Sequence, residues 1–257
     1  MDKKQNLINN HSAIFLLAGS GNRIAKLTKE PKCLLKINNQ TIIDRNFRIL
    51  KKLNIKKIIL VLGFKKNLIK KKIIKHKNNF DIKYVYNDDY VKKGNSYSLL
   101  KGLKKANSES LIFDGDLVFS EKILQNFLKS KQKSSFLVGK TSIKNAECAK
   151  VLVDEFGYIR KTIDKRLIKR KELKDLKFIG EAIGIIKIEN VVRKKMIQGL
   201  EKFLSIKKNL HLNWEHFMNM FFEDHDIKFK KTINSQWVEI DTKEDYNLAQ
   251  TLFRKND

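Results

Sequence analysis

The chain has 257 residues, 42% of them hydrophobic, which is enough to bury a sizeable core and suits one α/β domain better than two. Its 55 Lys and Arg against 28 Asp and Glu give a formal charge of +27, but the basic residues are spread along the chain with no zinc-finger, RNP or GXXG pattern, which argues against a specific nucleic-acid reader. Apolar runs such as Ile58 to Leu62 are too short to span a bilayer, and Cys33 and Cys148 lack the spacing of a disulfide framework or a zinc site, so a cytoplasmic protein is expected.

The predicted elements follow in chain order. Residues Met1 to His11 are polar and read as a flexible arm, leaving 12–257 as one domain. Ile14 to Leu17 reads as the first strand, broken by Gly19-Ser20-Gly21. Apolar residues at Ile42, Ile43, Phe47, Ile49, Leu50 and Leu53 mark an amphipathic helix. A strand over Ile58 to Leu62, a basic helix near Asn67 to Lys75 and a strand over Ile82 to Tyr86 come next. A helix over Ser96 to Ala106 and a short strand, Leu111 to Phe113, complete an alternation typical of a mostly parallel sheet with helices on both faces. Such sheets gather ligands at the carboxyl ends of their strands. The basic stretch Lys165 to Lys177 reads as a solvated loop or a dimer contact. Near the C-terminus, Trp237 to Asp241 alternates as a strand and Thr242 to Leu252 as a helix.

Three motifs carry chemistry. The first is the glycine turn, read either as a plain turn or as a nest of backbone N–H groups for phosphate. Arg23 and Lys32 follow it, and Pro31, the single proline, restricts the backbone before Lys32. A guanidinium fork and a mobile ammonium together suit a triphosphate whose leaving group gains charge during reaction. Asn22-Arg23-Ile24 stands where a dinucleotide fingerprint needs its third glycine and a Walker loop its Lys-Ser/Thr. The second motif, Asp114-Gly115-Asp116, is either a closed turn or a hard-oxygen site for magnesium. The third is Asp241, which reads either as a helix N-cap or as a second metal carboxylate, with Glu239 two residues earlier on the same strand face.

The pattern LAGSGNR followed by KEPKCLLKINNQTIID resembles the signature of the nucleotidyltransferase superfamily, and DGDLVF and WVEIDTKEDYNLA resemble its two aspartate motifs. Asn87-Asp88-Asp89-Tyr90 and Gly94 to Leu99 bring the chain closest to the bacterial CTP:phosphocholine and 2-aminoethylphosphonate cytidylyltransferases. This resemblance implies a Rossmann-like three-layer α/β fold of the nucleotide-diphospho-sugar transferase type. It also implies transfer of CMP from CTP to a small phosphorylated or phosphonate acceptor, with Mg2+ held by Asp116 and Asp241. Arg23 and Lys32 would be the catalytic cations. Leu17, Ala18, Gly19, Gly21, Asn87, Ser96 and Ser98 would bind the nucleotide, and Glu181, Trp214 and Glu215 the acceptor. Core packing is the other reading of Trp214. A sugar-1-phosphate nucleotidyltransferase would share every phosphate-site residue, whereas a basic nucleic-acid binder would share none of the chemistry. The resemblance leaves the acceptor, the pathway and the oligomeric state open, a homodimer included.

Overall fold

The computed structural model describes residues 11–24, 28–232 and 236–254. Strand β1 (His11–Leu17) leads through a glycine loop to β2 (Lys36–Ile37), β3 (Gln40–Thr41) and α1 (Ile42–Lys52). Then come β4 (Lys57–Leu62), α2 (Lys66–Ile73), β5 (Asp81–Tyr86), α3 (Asn95–Lys105), β6 (Glu109–Asp114), β7 (Leu117–Phe119) and α4 (Glu121–Leu128). The second half runs β8 (Ser135–Gly139), β9 (Lys150–Val153), β10 (Ile159–Ile163), β11 (Lys177–Ile188), α5 (Asn190–Ser205), α6 (Trp214–Asp224), β12 (Lys228–Lys231), β13 (Trp237–Glu239) and α7 (Lys243–Leu252). The arm expected at the N-terminus lies outside the described residues as far as residue 10. His11 does not belong to it, since it is buried as the first residue of β1.

The main sheet runs β10-β9-β11-β6-β1-β4-β5, with β8 joined to β11 and β12. Its first half is parallel and its second half turns antiparallel at β11, so the sheet is mixed rather than uniformly parallel. β1 is the central strand, and its side chains alternate between two cores. Ala13, Phe15 and Leu17 face one core with Phe47, Leu50 and Phe113, while Ile14 and Leu16 face the other with Leu99, Leu103 and Phe217. Burial on both faces explains why β1 reads as an unbroken apolar run instead of an alternating one.

Register decides where the site forms. Leu16 lies level with Asp114 and Leu17 level with Leu62, so β1 and β6 end side by side and deliver the glycine loop and the aspartate turn to one edge. A second small sheet then bridges the chain's middle and its end. β7 and β13 pair antiparallel, Val238 opposite Val118, and the Ile240 N–H donates to the Asp116 carbonyl at 3.0 Å. A third apolar cluster beneath this ribbon, including Ile24, Leu35, Val118, Val238, Ile240 and Phe253, welds it to α7.

The helix starts also bear on the site. Thr242 is the N-cap of α7, in a reciprocal capping box with Asp245, whose backbone N–H donates to the Thr242 hydroxyl at 3.1 Å. Asp241 therefore does not cap the helix, and its side chain is available to the cleft.

Phe15 is fully buried and stacks on Phe113 with ring centroids 4.8 Å apart. Phe15→Ala should cost about 3–5 kcal/mol of stability in urea denaturation; a loss below about 1 kcal/mol would contradict the placement of β1 at the centre of the core.

Candidate functional site

The glycine loop and the aspartate turn enclose an open cleft of about 320 Å3, lined by Leu17, Gly19, Gly21, Arg23, Lys32 and Asp116 among others. Gly19 has open space where a Cβ would stand, so a phosphate can approach the backbone there. Gly21 has φ +67, and a Cβ would lie 2.8 Å from the Lys32 Cγ atom. Glycine is thus needed for the left-handed turn and for room beside the lysine stem. Pro31 precedes a single 3-10 turn, Lys32–Leu34, closed by the Leu34 N–H donating to the Pro31 carbonyl at 2.9 Å. This turn aims Lys32 into the cleft.

Lys32 Nζ donates to Asp116 Oδ2 at 2.8 Å and to Asp241 Oδ1 at 2.6 Å, and Arg23 Nη1 lies 2.6 Å from Asp241 Oδ2. The four residues on which the sequence reading rests therefore meet in one cluster. Desolvation works against the Lys32 charge, but Asp116 and then Asp241 outweigh it and raise the lysine pKa. For Asp241, burial favours the protonated form; Lys32, Lys165 and Arg23 overcome it and hold the carboxyl below its ordinary value.

Asp116, Glu239 and Asp241 each offer a carboxylate oxygen within 4.8 Å of the others. Three hard carboxylate oxygens in this arrangement match the donors that magnesium takes, so the residues fit the cation implied by the resemblance. Like-charge crowding shows in their neighbours. Glu239 is exposed, yet desolvation of its carboxyl, and next Asp116 and Asp241, push its pKa well up. Asp114, pressed against Gly184 (φ +73, where a Cβ would lie 2.6 Å from Asp114 Oδ2), is pushed well up by desolvation, then by Glu215 and Asp116.

Among the predicted nucleotide contacts, Leu17, Gly19 and Gly21 line the cleft. Ala18 is 2% exposed, and its carbonyl accepts from the Phe64 N–H at 3.0 Å. Of Asn87, Ser96 and Ser98, the Asn87 Oδ1 and Ser96 Oγ atoms have no hydrogen-bond partner among the described residues. All three are buried, and the Asn87 Nδ2 donates to the Ser98 hydroxyl at 3.0 Å, bracing the connection from β5 to α3. Asn95, beside them, accepts from the Trp214 N–H at 2.7 Å and ties the start of α3 to the start of α6.

The predicted acceptor residues divide. Trp214 is 2% exposed and packs edge-on against Phe136, with its indole N–H directed at Asp114 Oδ1, 3.4 Å away; it is a core residue with one polar contact, and its ring does not present an open face. Glu181 stands apart from the carboxylate cluster. Desolvation raises its pKa, and its bonds are with Cys148 and Thr141 beside Lys150. Glu215 is at the site: burial, then Asp164 and Glu239, push its pKa up to about 8. Glu215 Oε2 and Asp164 Oδ1 are both buried with no hydrogen-bond donor among the described residues.

Lys165 was not singled out as a site residue by sequence reasoning. Its Nζ lies 3.2 Å from Asp241 Oδ2, and its charge also offsets those of Glu215 and Glu239. The residue has φ +41, unusual for a lysine, and the loop after β10 is pinned beside it. Arg166 forks onto Glu172 at 2.7 and 2.9 Å, and the fully buried Lys150 donates to the Arg166 carbonyl at 2.8 Å. Within the Lys165 to Lys177 stretch nothing marks this lysine by spacing, because its partner Asp241 and the anchor Lys150 lie elsewhere in the chain.

The family model described as the MobA-like NTP transferase domain matches residues 13–151. The chain belongs to this family. It is a nucleotidyltransferase. Its relatives include the choline-phosphate cytidylyltransferase of Streptococcus pneumoniae, 22% identical over 243 residues that cover 94% of this chain and 98% of that one. They also include the CTP:phosphoglutamine cytidylyltransferase of Campylobacter jejuni, 25% identical, with 92% of this chain and 98% of that one covered. A UTP--glucose-1-phosphate uridylyltransferase of Haloferax volcanii is another relative, so sugar-phosphate enzymes belong to the same circle. The solved structure of the S. pneumoniae CTP:phosphocholine cytidylyltransferase superposes with a TM-score of 0.76 at 22% identity, covering 95% of this chain and 99% of that one, which shows a shared fold. The matched residues 13–151 hold Arg23, Lys32 and Asp116, whereas Glu239 and Asp241 lie beyond them.

The raised pKa of Glu215 has a stability consequence. The folded chain binds this proton more tightly than the unfolded chain, whose glutamate titrates near its ordinary 4.5. The destabilisation it causes is therefore absent below about pH 4.5, grows as pH rises through the window up to about 8, and is constant above it. Glu215→Gln should raise the melting temperature more at pH 8.5 than at pH 5. An equal shift at both values would show that Glu215 titrates normally.

Proposed function

We propose that the chain is a magnesium-dependent cytidylyltransferase that transfers CMP from CTP to a small phosphorylated or phosphonate acceptor carrying an ammonium group, such as phosphocholine or 2-aminoethylphosphonate, and releases pyrophosphate. The single observation that carries this reading is the convergence of Arg23, Lys32, Asp116 and Asp241 beside the open Gly19 loop. On the acceptor side, Glu215 Oε2 and Asp164 Oδ1 are buried acceptors in want of a donor, and an ammonium head group supplies both charge and, where it bears hydrogens, donors. The relatives named for choline-phosphate and phosphoglutamine support the choice of CTP and of a phosphorylated amine.

In this reading an acceptor phosphate or phosphonate oxygen attacks the α-phosphorus of CTP. The new O–P bond forms as the bond to the β-phosphate bridging oxygen breaks, and the electron pair leaves with pyrophosphate. An anionic nucleophile needs no general base, so the protein's work is alignment and charge neutralisation. The Leu17 to Gly21 backbone seats the nucleotide. Arg23, half exposed at the mouth, takes the outer phosphates, while Lys32 exchanges a carboxylate partner for the α-phosphate. Lys165 lies between Asp241 and the Glu215 side of the cleft, where it steadies the acceptor's phosphate as its oxygen attacks the α-phosphorus. Asp116 and Asp241, assisted by Glu239, would hold magnesium, which when bound neutralises phosphate charge.

Incubating the protein with CTP or UTP and a panel of phosphocholine, 2-aminoethylphosphonate and glucose 1-phosphate, while following pyrophosphate, tests the substrates. Release with CTP and the amine acceptors is expected; release with the hexose phosphate alone would favour a sugar-phosphate enzyme instead. Lys32→Ala should lower kcat by roughly a hundredfold or more, because the charge it meets grows in the transition state. Near-normal turnover would refute its role. Asp241→Asn should weaken Mn2+ binding, read by electron paramagnetic resonance without substrate, by at least roughly tenfold. Unchanged Mn2+ affinity would remove Asp241 from the metal site.

A further inference from the structure

A second cavity, of about 440 Å3, opens between α4, β8 and β12, and Ser120, Asn126 and four lysines, Lys122, Lys129, Lys230 and Lys231, line it. Its size falls in the ordinary range for small-molecule sites, roughly 300–1,000 Å3. No Asp or Glu contributes to its lining. Glu121, the acid nearest in sequence, is committed to Lys52 at 2.9 Å. None of the four lysines has a carboxylate partner among the described residues. Four cations around one concavity repel one another, and a bound polyanion would offset that repulsion.

Two further features indicate a built cavity rather than a scatter of surface lysines. The Ser120 hydroxyl is buried with no hydrogen-bond partner among the described residues, although its backbone N–H is satisfied by the Gln236 carbonyl at 3.0 Å. A hydroxyl left in that state is stabilised by a ligand that accepts or donates a bond. Ile123, Phe127 and Leu137, all buried, add an apolar lining, which inorganic phosphate does not use but the body of an organic phosphate does.

The cavity's position ties it to the catalytic cleft. Ser120 follows β7 and Gln236 precedes β13, so both stand at one end of the ribbon whose other end carries Asp116, Glu239 and Asp241. Three paired residues on each strand separate the two ends, a distance on the order of 10 Å. We propose that this cavity is a second anion-binding site, separate from the catalytic cleft, for a small phosphorylated organic molecule of nucleotide size. A ligand there braces the ribbon that presents the metal carboxylates.

Calorimetric titration of the full chain with CTP and, separately, with inorganic pyrophosphate tests the proposal. Two classes of CTP site are expected in the wild type. The double variant Lys122→Ala, Lys230→Ala should weaken one class at least tenfold and leave the other; Arg23→Ala should do the converse. Pyrophosphate should occupy the second class more weakly than CTP, since it cannot use the apolar lining, and equal affinity would overturn the organic part of the assignment. A single CTP class in the wild type, or two classes both untouched by the lysine substitutions, would overturn the site itself. Melting at the wild-type temperature establishes that each variant is folded. Pyrophosphate release with phosphocholine, measured in the same lysine variant, separates this outcome from the catalytic reading: turnover without a second binding class leaves the proposed function standing and removes only the second site.

Discussion

The structure depends on keeping several carboxylates together at one end of a sheet without letting them repel the fold apart. Asp116, Glu239 and Asp241 share a space of less than 5 Å, and Asp114 and Glu215 crowd in behind them. Lys32 makes this tolerable by bonding to Asp116 and Asp241 at once, and Arg23 and Lys165 add charge on Asp241. Arg23 and Lys32 come from the connection between β1 and β2, and Lys165 from the loop after β10. Loss of any one of them leaves a half-buried anion undercompensated, which costs more than a surface ion pair would.

The sheet divides labour around that cluster. Its parallel strands β5, β4, β1 and β6 end at one level and supply the glycine loop and Asp114. Its antiparallel part, built on the long and irregular β11, carries Gly184 against Asp114 and supports the loop that delivers Lys165. The side of the cleft formed by the glycine loop is thus rich in cations and open backbone, while the side behind it is acidic. An acceptor with a negative phosphate and a positive head group matches such a gradient in one orientation only, and charge would then set the direction of attack.

The short β7–β13 ribbon joins these halves. Without its pairing, Glu239 and Asp241 would have no fixed relation to Asp116, since β7 and β13 lie far apart in sequence. The apolar cluster beneath, with Val118, Val238 and Ile240, makes the ribbon rigid, and the capping box at Thr242 frees Asp241 from the duty that its sequence position suggests.

Much of the scaffold was legible in advance. The apolar runs at Ile14, Ile58 and Ile82 and the periodicity of Ile42 to Leu53 are local patterns, and each became the element expected within a few residues, because burial on two faces or on one stripe leaves its mark on neighbouring positions. Arg23, Lys32 and Asp116 were legible for a similar reason, as each belongs to a compact motif with restricted backbone. Trp214, Asn87, Ser96 and Ser98 were less so, because a polar or aromatic residue in a motif looks the same whether it faces a ligand or packs the interior. Lys165 had no local signal at all: its partner Asp241 and the loop's anchor Lys150 are brought to it by the fold. By itself, then, the sequence determined the strand and helix alternation, the glycine turn and the types of group available for chemistry, since these follow from nearest neighbours along the chain. Only the tertiary structure decided which charges meet. Lys32 is 84 residues from Asp116 and 209 from Asp241, and at such separations contact is set by strand register and pairing, not by any spacing a linear pattern can hold.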